Sequence, residues 1–244
     1  MLTNYITTAF RALKRNWSYS VINILGLALG LACCLLLFVA VRYELSFDRH
    51  NVNANRIYRM LGVNATSPDS KPNTGITFPA LAALRNDFPD MKHQLTMVSR
   101  VRSAVVSVGG QGNREKKRFQ EPDGVVTFAE PEYFNLFDYT WEKGNPKTAL
   151  LNPNTVVLTD RMAHKYFGDT NPMGQVIRID NQMDFVVTGV VQAPPATSSL
   201  PFSVFLTHAS VVEFGNTSTV DYRGSSYGGE QNYMMLPHTM SLAK

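Results

Sequence analysis

Val21-Ile-Asn-Ile-Leu-Gly-Leu-Ala-Leu-Gly-Leu-Ala-Cys-Cys-Leu-Leu-Leu-Phe-Val-Ala-Val41 decides how the rest of the chain is read. It holds no charged residue, and Asn23 is its one strongly polar side chain. As an α-helix it would extend about 31 Å, close to the ~30 Å hydrocarbon core of a bilayer. Thirteen of its residues are Leu, Ile, Val or Phe. Each favours insertion by roughly 0.3–0.6 kcal/mol near the helix centre, a sum that outweighs one asparagine near an end. A buried helix of a soluble protein is rarely apolar on every side over such a length. A cleaved signal sequence would have a shorter apolar region ending at small residues, whereas this one runs into Arg42-Tyr43-Glu44. The expectation is an uncleaved transmembrane helix over 21–41.

Working outward, the flanks set an orientation. Arg11, Lys14 and Arg15 precede the span with no acidic residue in 1–20, while Arg42 and Arg49 beyond it mix with Glu44 and Asp48. Lysine and arginine bias the cytoplasmic side, so the N-terminus is expected inside and the bulk of the chain outside. Leu2, Ile6, Ala9, Phe10, Leu13 and Trp17 recur at helical spacing. Residues 1–20 therefore read as an amphipathic helix lying on membrane lipid, with Trp17 at the headgroups. Within the span, Gly26 and Gly30 make a G-x-x-x-G and Ala28 and Ala32 repeat the small spacing. Such a face lets a second membrane helix approach closely.

Removing the basic N-terminus leaves 20 basic and 19 acidic residues in the remainder. No basic stripe of the kind nucleic acid requires is visible, so no nucleic-acid partner is expected. The short run Arg114, Lys116, Lys117, Arg118 reads as a solvated hairpin or loop. The two cysteines, Cys33 and Cys34, are adjacent and lie in the apolar stretch. Their geometry suits neither a bridge nor a metal site, and the outer region must be held by its core.

After the span, helix and strand signals alternate irregularly, which makes α+β the expected fold class. Strands are expected over 55–63, 94–108, 154–158, 175–179, 185–191, 202–206 and 232–236, and helices over 77–88, 132–137 and 160–167. Asp160 is expected to cap the last of these, which ends at Gly168. Asp180-Asn181 marks a hairpin turn. Residues 193–199 and the Gly/Ser-rich 215–229 read as loops.

Catalytic patterns are weak. Gly224-Ser225-Ser226-Tyr227-Gly228 fits G-x-S-x-G, but a nucleophile elbow needs an acid and a histidine after it in a strand–helix setting. Beyond Ser226 the chain has no Asp, and Glu230 and His238 are its remaining candidates. The five histidines show no metal-binding spacing, and no P-loop motif occurs. The expectation is a chain that is not an enzyme and has no catalytic, cofactor-binding or metal-ligating residues.

The order of several segments carries more. Asn16-Trp-Ser-Tyr-Ser-Val-Ile-Asn-Ile-Leu-Gly-Leu-Ala-Leu-Gly30, then Tyr43-Glu-Leu-Ser-Phe-Asp48 and Arg56-Ile-Tyr-Arg59, resembles the start of MacB/FtsX-type ABC transporter permeases. Val156-Val-Leu-Thr-Asp-Arg-Met-Ala-His-Lys-Tyr-Phe-Gly168, Asn171-Pro-Met-Gly174 and Phe185-Val-Val-Thr-Gly-Val190 resemble the latter half of that family's periplasmic core domain. The resemblance implies that 42–244 is such a domain, incomplete at its C-terminus, and that the chain is the N-terminal portion of a permease subunit in a bacterial inner membrane. It implies an ABC ATPase subunit or domain as partner, carrying the ATP, and a second permease copy or paired permease. The outer domain would couple ATP-driven motion to export or to activation of a partner. The alternatives that the residues leave open are a single-pass anchored sensor or interaction module, and an anchored hydrolase using Ser226.

Overall fold

The computed structural model describes residues 2–63, 71–72, 75–76, 78–109, 117–211, 213–214 and 230–237. Two compact units divide the chain, Met1–Phe47 and Asp48–Lys244.

The first unit is two helices. Helix α1 covers Leu2–Arg15, and α2 covers Trp17–Glu44, with Asn16 between them. α2 is 28 residues long and buries none of them, so its apolar side chains face outward on every side. It outruns the uncharged stretch at both ends. Trp17 therefore opens the long helix rather than closing the amphipathic one, and it is exposed.

The second unit is a mixed sheet with helices against it. In chain order come β1 (Ile57–Met60), α3 (Phe78–Asp87), β2 (Leu95–Arg100), β3 (Ala104–Val108), β4 (Lys117–Glu121) and β5 (Val126–Ala129). There follow α4 (Tyr133–Leu136), β6 (Trp141–Gly144), β7 (Thr155–Thr159), α5 (Asp160–Phe167), β8 (Val176–Ile179), β9 (Met183–Val191), β10 (Val204–Thr207) and β11 (Glu230–Met235). The strand order is β1-β11-β2-β5-β10-β7-β9-β8-β3-β4. Beside β9 the sheet forks: β8 pairs with its first half and β6 with its last three residues, while β7 runs parallel along the other edge. The fold class is α+β, a long apolar helix followed by a mixed domain, as the sequence indicates.

Central strands alternate strictly between two buried faces. Val156 and Leu158 of β7, and Val204 and Leu206 of β10, join Phe128, Ile177 and Phe185 in a core covered by Met162, Ala163 and Tyr166 of α5. Val157 and Phe205 point the other way, into an aromatic core with Tyr133, Phe134 and Phe137. Burial on both faces explains why these strands read as continuous apolar runs rather than alternating ones. A smaller core joins Leu81 of α3 to Leu95 and Met97 of β2.

Local chemistry corrects the reading at one place. The side chain that caps α5 is that of Thr159, whose Oγ1 accepts from the Met162 amide. Asp160 instead accepts from the Arg161 and Ala193 amides, tying the helix start to the chain after β9. Lys117 and Arg118 are exposed in β4, which pairs antiparallel with β3 at the edge of the sheet, as the solvated hairpin reading expects; Arg114 and Lys116 lie outside the described residues. Asp180 and Asn181, both at positive φ, form the β8–β9 turn, as the sequence suggests. The Gly/Ser-rich 215–229 region, with the G-x-S-x-G pattern at 224–228, lies outside the described residues.

Candidate functional site

The residues singled out for membrane contact all lie in the first unit. Gly26, Ala28, Gly30 and Ala32 are exposed along α2, and a methyl group built on Gly26 or Gly30 would meet no atom within 4 Å. Arg11, Lys14 and Arg15 are exposed on α1. These are free surfaces, and a site with internal geometry is found elsewhere.

That site is where the chain enters its second unit. Residues 48–56 form a strap of successive turns: the Asn51 amide donates to Asp48 O, Ala54 to Asn51 O, and Arg56 to Asn53 O. Three groups of bonds fasten the strap to distant parts of the domain. Asp48, at φ 56°, donates its amide to Thr197 O, and its Oδ1 accepts from the Ser199 amide at 2.9 Å. Asp138 accepts from the Val52 amide at 2.7 Å, and its own amide donates to Asn51 Oδ1 at 3.3 Å. Arg56 Nε donates to Leu236 O at 2.8 Å, and the Leu236 amide donates back to Arg56 O at 2.9 Å.

The last contact continues into the β1–β11 pairing, where Ile57 lies opposite Met235. The strand that receives the chain from the strap is thus bonded to the last described strand. Beneath the strap lies a cavity of about 180 Å³, lined by Asp48, Asn51, Ile57, Phe137, Leu200 and Tyr233 among others. Its floor is stiff: the Tyr233 ring sits 5.3 Å from that of Phe137, and its hydroxyl donates to Gln231 Oε1 at 2.6 Å. Burial pushes the Tyr233 hydroxyl up to about 12. Tyr139 stands at about 12 for the same reason, so both phenols stay neutral and hydrogen-bonded.

Two buried carboxylates tie elements of the domain together, and a third, Glu230, is buried in β11. Glu130 takes Arg85 in a bidentate pair at 2.8 and 2.6 Å and also accepts from the Met97 amide. Glu121 accepts from Lys165 Nζ and the Tyr166 hydroxyl. Burial raises the Glu230 carboxyl to about 7. Among the described residues, no cluster of His, Cys, Asp or Glu could hold a metal ion. His164 is exposed on α5 beside Asp169, and burial lowers the pKa of His208. The sequence did not reveal the strap, because its partners lie far along the chain and its residues are ordinary turn formers.

An apolar helix of membrane-spanning length is followed in the chain by a mixed α+β domain. The profile of the MacB-like periplasmic core domain matches residues 20–237, and the chain belongs to that family. No curated protein sequence matches it. Among solved structures, it resembles a domain assigned to a permease protein of Porphyromonas gingivalis, with a TM-score of 0.52 and 15% identity over 78% of this chain and 79% of that one. It also resembles the periplasmic region of MacB from Actinobacillus actinomycetemcomitans, with a TM-score of 0.48 and 15% identity over 79% and 81%. A third likeness is to the extracellular domain of the noncanonic ABC-type transporter YknZ from Gram-positive bacteria, with a TM-score of 0.47 and 13% identity over 75% and 85%. At 15% identity the first of these likenesses concerns the fold alone, and the family rests on the profile match. The chain is accordingly the periplasmic domain of a MacB/FtsX-type ABC transporter permease with its preceding helix, and permeases are not themselves catalytic.

Proposed function

We propose that α2 spans the inner membrane with its N-terminus in the cytoplasm, and that the strap passes the motion of this helix to the periplasmic domain. An ABC ATPase, as a separate subunit or fused domain, supplies the motion by binding and hydrolysing ATP. A second permease copy or a paired permease completes the assembly, packing against the Gly26, Ala28, Gly30 and Ala32 face of α2. Arg11, Lys14, Arg15 and Trp17 hold the N-terminal segment at the inner headgroups. The outer domain then moves substrate outward or changes the state of a partner protein.

The observation that carries this reading is the family match from residue 20 to 237, which takes in most of α2 and the outer domain together. The strap supplies the mechanical part. Hydrogen bonds to fixed acceptors in three separate places carry displacement better than a flexible linker would. The experiment is purification of the permease from its native membrane with an affinity tag, followed by ATPase and transport assays on the reconstituted assembly. The expected result is co-purification of a P-loop ATPase, with Asp138→Ala keeping ATP hydrolysis while lowering the transport per ATP consumed. Purification without any ATPase would refute the reading, as would an unchanged transport-to-ATP ratio in the variant.

A further inference from the structure

The cavity beneath the strap is bordered by two opposite charges. Asp48 and Arg59 both line it, and every lining residue belongs to the second unit. Asp48 Oδ1 accepts from the Ser199 amide, while its Oδ2 has no hydrogen bond and its carboxylate no ion pair among the described residues. Arg59 lies opposite Tyr233 in the β1–β11 pairing, so the two side chains leave the sheet on one face. A guanidinium has five N–H donors, so a contact elsewhere does not exhaust Arg59. Burial has the largest effect on the Tyr233 hydroxyl; beyond it, Arg59 lowers and Asp48 raises the same pKa, so both charges stand near that ring.

A third polar group lacks a partner. Asn51 lines the cavity and is 8% exposed. Its Oδ1 accepts from the Asp138 amide, which fixes the orientation of its side-chain amide. Its Nδ2 then has no partner among the described residues. A buried donor left unbonded costs stability, and an acceptor on a ligand relieves it. The neighbouring acid, Asp138, is not part of the lining, and its carboxylate holds the Val52 amide. Most of the remaining wall is apolar, from Ile57, Phe137 and Leu200 with the ring of Tyr233. At about 180 Å³ the space falls below the roughly 300–1,000 Å³ of sites for drug-sized ligands, which limits an occupant to the size of an amino acid.

We propose that this cavity binds a free α-amino acid with a small apolar side chain. The α-ammonium meets Asp48, the α-carboxylate meets Arg59 and the Asn51 Nδ2 donor, and the side chain lies against Ile57, Phe137 and Leu200. A ligand with a single charge leaves the opposite charge of the lining unmatched, whereas a zwitterion answers both. The walls come from the strap, from β1 and β11, and from Ser199 and Leu200, so an occupant ties the strap more firmly to the domain. The site needs neither the membrane span nor the ATPase, and it stands or falls apart from them.

The test is calorimetric titration of the detergent-solubilised full chain at neutral pH with three ligands. L-valine carries both charges, valinamide lacks the carboxylate, and 3-methylbutanoate lacks the ammonium. Valine should bind once per chain, and each of the other two at least about tenfold more weakly, since each gives up one charged contact. Asp48→Asn keeps an oxygen for the Ser199 amide but removes the charge, and Arg59→Met keeps an unbranched stem. Each variant should weaken valine at least about tenfold. Arg59→Met should also shrink the gap between valine and valinamide, and Asp48→Asn the gap between valine and 3-methylbutanoate, a pattern that mere loss of structure does not produce. If a variant fails to fold, the three ligands on the unaltered chain still decide. Valine binding weaker than about 1 mM overturns the site. Equal binding of all three ligands also overturns it, because the two charges then take no part. An Arg59→Met chain that separates valine from valinamide as well as the unaltered chain does overturns the seat given to the carboxylate.

Discussion

Asp138→Ala removes the acceptor that holds the Val52 amide and leaves the rest of the domain untouched. The lost bond is short, at 2.7 Å, and carboxylate-assisted, a type worth roughly 1.5–3 kcal/mol when shielded. It lies at an exposed position, which lowers the expected value to about 1–1.5 kcal/mol. The bond from the Asp138 amide to Asn51 Oδ1 survives, because it uses backbone. The strap should therefore open locally about five- to tenfold more often, since 1.4 kcal/mol is a factor of ten. Amide exchange of the detergent-solubilised full chain, read by mass spectrometry, resolves this. The peptide covering 48–56 should exchange about five- to tenfold faster, and the one covering 155–159 should not change. Asp138→Asn keeps an oxygen acceptor and should show a smaller effect. The reasoning fails if exchange in 48–56 is unchanged, or if it rises equally in β7, since the bond would then be redundant or its loss global.

Other substitutions test the frame. Glu130→Ala strands Arg85 in a half-buried site, and such losses cost 3–5 kcal/mol when fully buried. With Arg85 still bonded to Leu95 O, about 2–3 kcal/mol is expected; in urea unfolding followed by Trp141 fluorescence, the double variant with Arg85→Met should cost less than the two single losses summed. Gly144→Ala places a methyl 2.5 Å from Thr188 O at a φ of +90°, so β6 should detach from β9 with a clear fall in melting temperature. Glu230 gives a pH dependence. Its carboxyl titrates near 4.5 when unfolded and near 7 when folded, so the folded state binds the extra proton between those values. Stability contributed by this group therefore declines as pH rises from about 4.5 to about 7 and levels off above, and Glu230→Gln should flatten that slope in thermal melts at fixed ionic strength.

Much of the fold was legible because hydrophobic burial writes itself locally. The apolar run over 21–41, the α5 segment with its terminating Gly168, and the Asp180-Asn181 hairpin each need only neighbouring residues to be recognised. The missed strands lack that signature. β4 is a charged edge strand whose one apolar residue is Phe119, and among the described residues it pairs with β3 alone. β6 exposes three of its four residues. β5 is four residues long and buried on both faces, so it has no alternation to detect. Nor could the strap be read: Val52 and Asp138 are 86 residues apart, and Asn51 and Asp138 are 87. Polar turn residues carry no mark of which distant amide they will meet. The family resemblance foresaw the domain that way, by the order of its segments, but not the bonds that fasten it.

The central claim is that the chain crosses the bilayer once through α2 and that the domain from Asp48 onward stands outside. A membrane-impermeant maleimide tests it directly, applied to cells with the outer membrane opened and the inner membrane intact, in the background without Cys33 and Cys34. Cysteine placed at Glu142, an exposed position of β6, should label at once, whereas cysteine at Lys14 of α1 should label only after the inner membrane is permeabilised. Prompt labelling at Lys14 with Glu142 protected, or protection of both, would contradict it.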